Sequence, residues 1–171
     1  MKIVLEITEA LLGTGEAERY DAPYQLRKAA RAVLVRDDGM ISIQHIKNRG
    51  FHKLPGGGIH AGEDIIDGLR RELEEETGCA AAVGDEIGAV IEYRNKTGIL
   101  QISYCYCATV GGIVGEPKFE KDEIEDGNTA IWVTLEDAIA KLTGENPDEY
   151  EGKFIVKRDL AILRVAQNTL R

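Results

Sequence analysis

A glycine-rich loop that leads into an acidic, amphipathic helix is the feature that most constrains this chain. Leu54 is followed by the run PGGG at 55–58. Proline has no N–H donor and glycine tolerates positive φ, so backbone atoms of such a loop can approach a ligand or a metal closely. From Glu63 to Thr77 apolar side chains recur at helical spacing, and Gly78 stands where a C-terminal cap would end the helix. We therefore predict a loop followed by a helix over this segment.

The segments before and after that helix have the residue patterns of strands and shorter helices. Strands are predicted at 29–36, 40–47, 89–94, 99–108 and 129–133. The acidic stretch 116–128 is predicted to be a loop, and helices are predicted at 135–142 and 150–170. The buried side of the last helix is predicted to carry Val156, Leu160, Leu163 and Leu170. Strands on both sides of a helix, in this mixed order, imply an α/β or α+β sandwich.

The composition is that of one globular domain. The chain has 171 residues, of which 43% are hydrophobic and 30% charged, so it can bury a core. Its formal charge of −9 opposes sequence-independent binding to a phosphate backbone, so we expect no nucleic-acid polymer among its partners. No apolar run approaches the roughly 20 residues that span a bilayer, and Glu6 interrupts the start before a signal-peptide core could form. We therefore expect no membrane association and a cytoplasmic location.

The three cysteines have no pattern of a metal site or a disulfide framework. Cys79, Cys105 and Cys107 form no CxxC pair and no His-Cys cluster, and their number is odd. We expect them to be reduced packing residues.

Three glutamates lie along one flank of the predicted acidic helix. At about 100° per residue, Ile65, Ile66, Leu69 and Leu73 define the apolar stripe. Glu72, Glu75 and Glu76 fall beside that stripe, whereas Glu74 faces away. The pair Glu72 and Glu76, four residues apart, weakens a helix by a few tenths of a kcal/mol unless a cation compensates. An acidic helix is commonly just a solvated face, but a hard divalent cation such as Mg²⁺ would also account for this patch.

The spacing of the residues around this helix is that of a known motif. Gly57, Glu63, Arg71, Glu72, Leu73, Glu75, Glu76 and Gly78 match the pattern G-x5-E-x7-R-E-U-x-E-E-x-G-U, in which U is a bulky aliphatic residue. The last position is Cys79, a small hydrophobe that departs little from the pattern. This segment, 57–79, resembles the Nudix box. The resemblance implies an α/β fold, the Nudix α/β/α sandwich with a mixed β-sheet, in a single domain over 1–171, with 1–28 and the helix at 150–170 as extensions.

The resemblance also implies an activity, a cofactor and roles for individual residues. It implies a MutT-like hydrolase that uses Mg²⁺ or Mn²⁺ to cleave a phosphoanhydride bond in a nucleoside diphosphate linked to another moiety. The implied metal ligands are Glu72, Glu75, Glu76 and the Gly57 carbonyl. Arg71 would orient these carboxylates, and Glu63 would help to hold the loop. Candidates for the general base are Glu72 and Glu76, followed by the loop residues Glu120, Glu123 and Glu125.

A basic segment precedes the glycine loop of this otherwise acidic chain. Lys47, Arg49 and Lys53 are candidate contacts for substrate phosphates, although a role in loop solubility explains them equally well. We expect the partner to be a small-molecule, nucleotide-type substrate, and a homodimer is compatible with the sequence. Two alternatives remain open at this point: a Nudix-fold module that binds a nucleotide without turnover, and an enzyme similar to isopentenyl-diphosphate isomerase.

Overall fold

The computed structural model describes residues 1–14 and 23–169, and its strands form one mixed sheet. The strands are β1 (Ile3–Ile7), β2 (Gln25–Val35), β3 (Ile41–Ile46), β4 (Phe51–Lys53), β5 (Cys79–Arg94), β6 (Ile99–Ile113) and β7 (Asn128–Val133). The helices are α1 (Glu9–Leu12), α2 (Ile65–Thr77), α3 (Lys121–Glu125), α4 (Leu135–Gly144) and α5 (Tyr150–Thr169). A 3₁₀ turn at Asn95–Thr97 joins β5 to β6.

The sheet combines parallel and antiparallel neighbours. Its strand order is β1-β5-β6-β2-β3-β4, and β7 pairs with β3 beside this path. The pairs β1–β5 and β2–β6 are parallel, whereas β5–β6, β2–β3, β3–β4 and β3–β7 are antiparallel. Because β1 pairs with β5, the first strand of the predicted N-terminal extension contributes directly to the sheet.

Two hydrophobic clusters lie on the opposite faces of this sheet. On one face, Leu69 and Leu73 of α2 pack against Ala30, Ala32 and Leu34 of β2. On the other face, α4 and α5 cover a larger cluster of buried apolar side chains from the sheet. Helices on both faces make the fold an α/β/α sandwich with a mixed sheet, and that prediction is confirmed.

Helix α2 begins and ends where its capping residues require. Asp64 precedes the first helical residue and accepts the N–H groups of Ile66 and Asp67. The helix therefore begins two residues after the predicted start at Glu63. Gly78 ends it with φ of 68°, the left-handed conformation that glycine adopts at helix ends.

The prediction of helix α5 is confirmed over its described length. Val156 and Leu163 are buried in it, and Leu160 is partly buried against the same cluster. The fourth predicted residue, Leu170, lies outside the described residues.

The prediction that 116–128 is entirely a loop is wrong. Residues Lys121–Glu125 form the short helix α3, which a capping box stabilises: Glu120 and Glu123 each accept the other's backbone N–H. Strands β5 and β6 are also longer than predicted. Register shifts near Ala80, Val83 and Glu86 interrupt the alternation on which the prediction depended.

The cysteines are free thiols, as predicted. Cys79 and Cys105 are buried, and Cys107 is partly buried. Among the described helices, none combines the length and apolar character needed to cross a membrane.

Candidate active site

The glycine loop is held against strand β2 by backbone hydrogen bonds. The N–H of Ala30 donates to the Gly57 carbonyl at 3.0 Å, and the N–H of Ala32 donates to the Pro55 carbonyl at 3.1 Å. Gly56 has φ of 124°, and a Cβ there would lie 2.3 Å from the Ala30 carbonyl oxygen. Only glycine therefore fits where the loop meets the strand at this point.

Gly57 brings the loop into direct contact with the acidic helix. A Cβ at Gly57 would lie 2.1 Å from Oε2 of Glu72, so the missing side chain leaves the space that this carboxylate occupies. The Gly57 backbone and the Glu72 carboxylate consequently lie side by side at the cleft.

Arg71 contacts carboxylates on α2 and on the loop that precedes this helix. Its guanidinium bonds both oxygens of Glu63, at 3.0 and 3.1 Å, and the Gly58 carbonyl at 3.1 Å. The same side chain donates to Glu72 at 2.8 Å and to Glu75 at 3.2 Å. Hydrogen bonds from Arg71 lower the pKa of Glu63 to about 2, and those to Glu63 raise the pKa of Arg71. Arg71 thus contacts two of the three carboxylates that it was predicted to orient, Glu72 and Glu75, and the roles of Arg71 and Glu63 stay predictions.

Glu76 is the buried member of the acidic flank. It is 2% exposed, and one oxygen accepts the N–H of Gly56. The other oxygen lies 3.1 Å from Nζ of Lys53, which also lies 3.1 Å from Glu123. Burial raises the pKa of Glu76 to about 7, despite the opposing effects of Lys53 and Gly56. Glu74, by contrast, is exposed, as the helical spacing predicts.

The residues predicted to hold a metal line one cleft, although their side chains are bound to other groups. Gly57, Glu72, Glu75 and Glu76 all line it. Arg71 holds Glu72 and Glu75, and Lys53 and Gly56 hold Glu76. No three His, Cys, Asp or Glu side chains of residues 1–14 and 23–169 converge into a metal cluster in this arrangement. The metal ligand set therefore stays a prediction.

The basic segment divides into residues inside and outside the cleft. Lys53 and Arg49 line it, whereas Lys47 is exposed and is not part of the lining. Arg49 lies 2.8 Å from Asp126 and 3.3 Å from Glu149, so its charge is already balanced.

Two of the three loop candidates for the general base lie in the cleft. Glu120 and Glu123 line the cleft, whereas Glu125 does not and pairs with Lys121 on the surface.

The cleft, about 710 Å³ in volume, also contains a group of arginines that the sequence prediction missed. They are Arg27 and Arg31 on β2, Arg94 at the end of β5, and Arg158 in α5. The sequence did contain one indication. Arg31 lies in the predicted strand 29–36 and Arg27 lies two residues before it, so the two side chains, four residues apart, would share one face if the strand began earlier. Nothing in the sequence indicates that Arg94 and Arg158 join them.

Comparison with known protein families identifies the family to which this chain belongs. Residues 25–152 match the NUDIX domain, a range that covers most of the chain and includes both the glycine loop and α2. The protein belongs to the Nudix family, as the resemblance of its 57–79 segment predicts.

Two proteins of known description resemble the chain in sequence. It is 38% identical over 79 residues to an RNA pyrophosphohydrolase of Erythrobacter litoralis, a match covering 44% of this chain and 47% of that protein. It is 32% identical over 104 residues to a MutT-like protein of Streptomyces ambofaciens, covering 60% of this chain and 65% of that protein. The matches thus span about half to just under two thirds of the length of these relatives.

Solved structures share the fold at low sequence identity. A MutT protein from Methanosarcina mazei Go1 aligns with a TM-score of 0.57 and 19% identity, covering 88% of this chain and 100% of that chain. A NUDIX hydrolase from Nitrosomonas europaea aligns with a TM-score of 0.58 and 19% identity, covering 78% and 89% of the two chains. These similarities support the sandwich architecture.

Proposed function

We propose that this protein is a hydrolase that uses Mg²⁺ or Mn²⁺ to cleave a phosphoanhydride bond in a nucleoside diphosphate linked to another moiety. The observation that supports this proposal most strongly is the set of hydrogen bonds made by Arg71. These bonds hold Glu63, Glu72 and Glu75 beside the glycine loop, at one end of a large cleft. Membership of the Nudix family and the names of its relatives support an activity on pyrophosphate bonds.

The residues at this end of the cleft fit a hard divalent cation. The candidate ligands are all oxygen atoms, from Glu72, Glu75, Glu76 and the Gly57 carbonyl, which is the donor type that Mg²⁺ prefers. The close approach of Gly57 to Glu72 brings the loop backbone and a carboxylate together. The Gly57 carbonyl accepts the Ala30 N–H, and its second lone pair would be the one available to a cation. When bound, such a cation would neutralise phosphate oxygens and lower the pKa of a bound water.

The chain's own side chains would position the groups and move the proton. Arg71 fixes the orientation of Glu72 and Glu75, and Glu63 ties Arg71 to the loop. Glu72 and Glu76 are the first candidates for removing a proton from the attacking water, because both face the cleft from α2. Glu120 and Glu123 remain candidates from the facing segment. Lys53, between Glu76 and Glu123, would contact the substrate phosphates together with Arg49.

The two alternative functions have less support. A module that binds without turnover would be expected to lack box glutamates, and Glu72, Glu75 and Glu76 are all present. An isomerase of the isopentenyl-diphosphate type would need a cysteine facing the substrate. All three cysteines are described in the structure, and none lines the cleft.

Metal-dependent turnover of a substrate panel tests the proposal. The panel consists of nucleoside triphosphates, 8-oxo-dGTP, ADP-ribose, dinucleoside polyphosphates, nucleotide sugars and an RNA carrying a terminal pyrophosphate. We expect hydrolysis of at least one compound with Mg²⁺ or Mn²⁺ and none in excess EDTA. Full hydrolysis in EDTA, with metal content confirmed as negligible, would refute the assigned mechanism. If the RNA were the one compound of the panel to be hydrolysed, the substrate would be the end of a nucleic acid and not a small molecule.

A further inference from the structure

Four arginines from three distant parts of the chain form one wall of the cleft. We call Arg27, Arg31, Arg94 and Arg158 the arginine basin. The basin lies beside the glycine loop. A Cβ atom added to Gly58 would lie 3.5 Å from Nη2 of Arg27. The backbone of Arg31 is closer still to the loop, with its Cα 3.0 Å from the corresponding position on Gly56.

Three of these side chains are buried and have unused hydrogen-bond donors. Arg31, Arg94 and Arg158 are 6%, 4% and 0% exposed. Within the described residues, Nε of Arg31, Nε of Arg94 and Nη1 of Arg158 have no hydrogen-bond acceptor. Nη1 of Arg158 lies 3.7 Å from Glu92, beyond hydrogen-bond distance. Buried polar groups nearly always have a partner, so three unfilled donors on side chains of one cleft wall indicate an acceptor that comes from outside the chain.

The charges of the basin are only partly balanced by the protein. Two fully buried carboxylates face it: Asp159 lies 2.6 Å from Arg158, and Glu92 lies 3.2 Å from Arg94. A third, Glu151, is 3.5 Å from Arg94 but about half exposed, so solvent weakens its effect. Glu76, 2% exposed and in the same cleft, also acts on Arg31 through its negative charge. Among the described residues of this wall, the four guanidinium groups therefore outnumber the buried carboxylates Asp159, Glu92 and Glu76.

The two buried carboxylates also have other partners, which limits how far they can satisfy the arginines. Asp159 accepts the N–H of Leu54 at 2.8 Å, and Glu92 accepts the side-chain amide of Gln101. Burial, followed by the positive charge of Arg158, lowers the pKa of Arg31 to about 10. Arg31 therefore stays charged at neutral pH, in surroundings that favour the arrival of an anion.

We propose that the arginine basin binds a phosphate group of the substrate beyond the two phosphates joined by the cleaved bond. This inference rests on the proposed function, in which the acidic end of the cleft serves the cleaved anhydride. A phosphate group is attracted by the excess positive charge of the basin, and its oxygens can accept the unused guanidinium donors. The substrate class is then a nucleotide with a third phosphate, such as a nucleoside triphosphate or a dinucleoside polyphosphate. A nucleoside diphosphate joined to a neutral sugar would leave the basin unfilled.

Binding of inorganic phosphate in EDTA tests the basin independently of catalysis. Isothermal titration calorimetry on the wild type is expected to show saturable binding without a metal ion. Arg31→Gln and Arg94→Gln should each weaken this binding by at least ~10-fold, the loss typical of a charge-assisted hydrogen bond. The matched control is Arg70→Gln, because Arg70 is exposed on α2, pairs with Asp67 and does not line the cleft.

Circular dichroism shows whether the variants with buried substitutions, Arg31→Gln and Arg94→Gln, are folded. If they are not, a variant at an exposed position still tests the proposal. Arg27→Gln replaces the exposed member of the basin and should also weaken phosphate binding, whereas Arg70→Gln should not. Absence of saturable binding by the wild type would overturn the proposal. Equal affinity in the wild type and all folded basin variants would overturn it as well.

Kinetics separates this inference from the proposed function. With Mg²⁺, the wild type should show a higher kcat/KM for nucleoside triphosphates than for diphosphate sugars of the same bases, and Arg31→Gln should reduce that ratio. If no compound is hydrolysed while phosphate binding still depends on the basin, the proposed function fails and the basin stands. If hydrolysis occurs and a preference for diphosphate sugars is unchanged in Arg31→Gln, the basin fails and the proposed function stands.

Discussion

Glu76 and Glu74 lie two positions apart on α2 in opposite environments. Glu76 is 2% exposed and contacts Gly56 and Lys53, whereas Glu74 is exposed. Glu76→Gln keeps the side-chain volume but removes a charge and half the ligand capacity, so kcat should fall by at least ~10². Glu74→Gln should leave kcat nearly unchanged. Steady-state kinetics on both variants checks this, and equal losses in the two would show that α2 presents a different face to the substrate.

Gly57 permits the contact between the loop and Glu72. In Gly57→Ala, the added methyl would lie 2.1 Å from a carboxylate oxygen, the end of a side chain that can move aside. We expect Tm to change little, while Mg²⁺ affinity falls by at least ~10-fold because a ligand is displaced. Calorimetric titration with Mg²⁺ measures the effect. Gly144→Ala is the control, since a Cβ there meets nothing within 4 Å; unchanged affinity in Gly57→Ala would place the cation elsewhere.

The residues of the site were predictable from the sequence to different degrees. Arg71 lies within hydrogen-bond distance of Glu63, Glu72 and Glu75 because a loop and the helix that follows it are close in sequence, so residue spacing can indicate that these side chains meet. Arg94 and Arg158 come from β5 and α5, and only the pairing of strands and the packing of α5 place them beside β2. Local patterns carry no information about such long-range contacts.

At the scale of elements, Gly78 and Gly13 offer a matched comparison. Both end helices with φ near 67°, but a Cβ at Gly78 would lie 2.1 Å from the Gly115 carbonyl, whereas at Gly13 it meets nothing within 4 Å. Gly13→Ala should cost only the left-handed conformation, about 1 kcal/mol of unfolding free energy. Gly78→Ala should cost clearly more, because the backbone must also shift. Urea unfolding measures the loss of stability in both variants. Equal losses would contradict the prediction and show that the backbone at Gly115 moves aside without a measurable loss of stability.

The elements whose ends are marked by capping residues were predicted best. Asp64 and Gly78 define α2 almost to the residue. Helix α3 was missed because it has only five residues, too few for a periodic pattern, and its Ile124 is exposed. The extent of β5 was underestimated because bulges shift its register, so apolar and polar residues no longer alternate.

For the whole molecule, a buried thiol predicts a loss of stability at alkaline pH. Burial raises the pKa of Cys105 to about 12 from its ordinary value of 9. Below pH 9 the thiol is protonated in both states, so it has no effect on the pH dependence. Above pH 9 the unfolded chain loses this proton and the folded chain retains it, so stability falls by up to about 1.4 kcal/mol per pH unit.

Cys105→Ala tests this dependence. The variant loses stability at pH 8 through a cavity, but the difference from the wild type should narrow between pH 9 and 11, because the variant has no thiol to ionise. Urea unfolding at several pH values measures the difference. Leu69→Ala, at a fully buried position in the cluster on the other face of the sheet, is the control, and its difference from the wild type should stay constant. A constant difference for Cys105→Ala would contradict the prediction.

The hydrogen bond from the Leu54 N–H to Asp159 joins residues 105 positions apart, and it affects the order in which the molecule forms during synthesis. The glycine loop leaves the ribosome long before the helix that anchors it, and β2 likewise waits for its parallel partner β6. Pairings of such long range are slow to form. The edge of β2 that pairs with β6 therefore stays open during elongation, and the cleft is complete only after α5 has been translated.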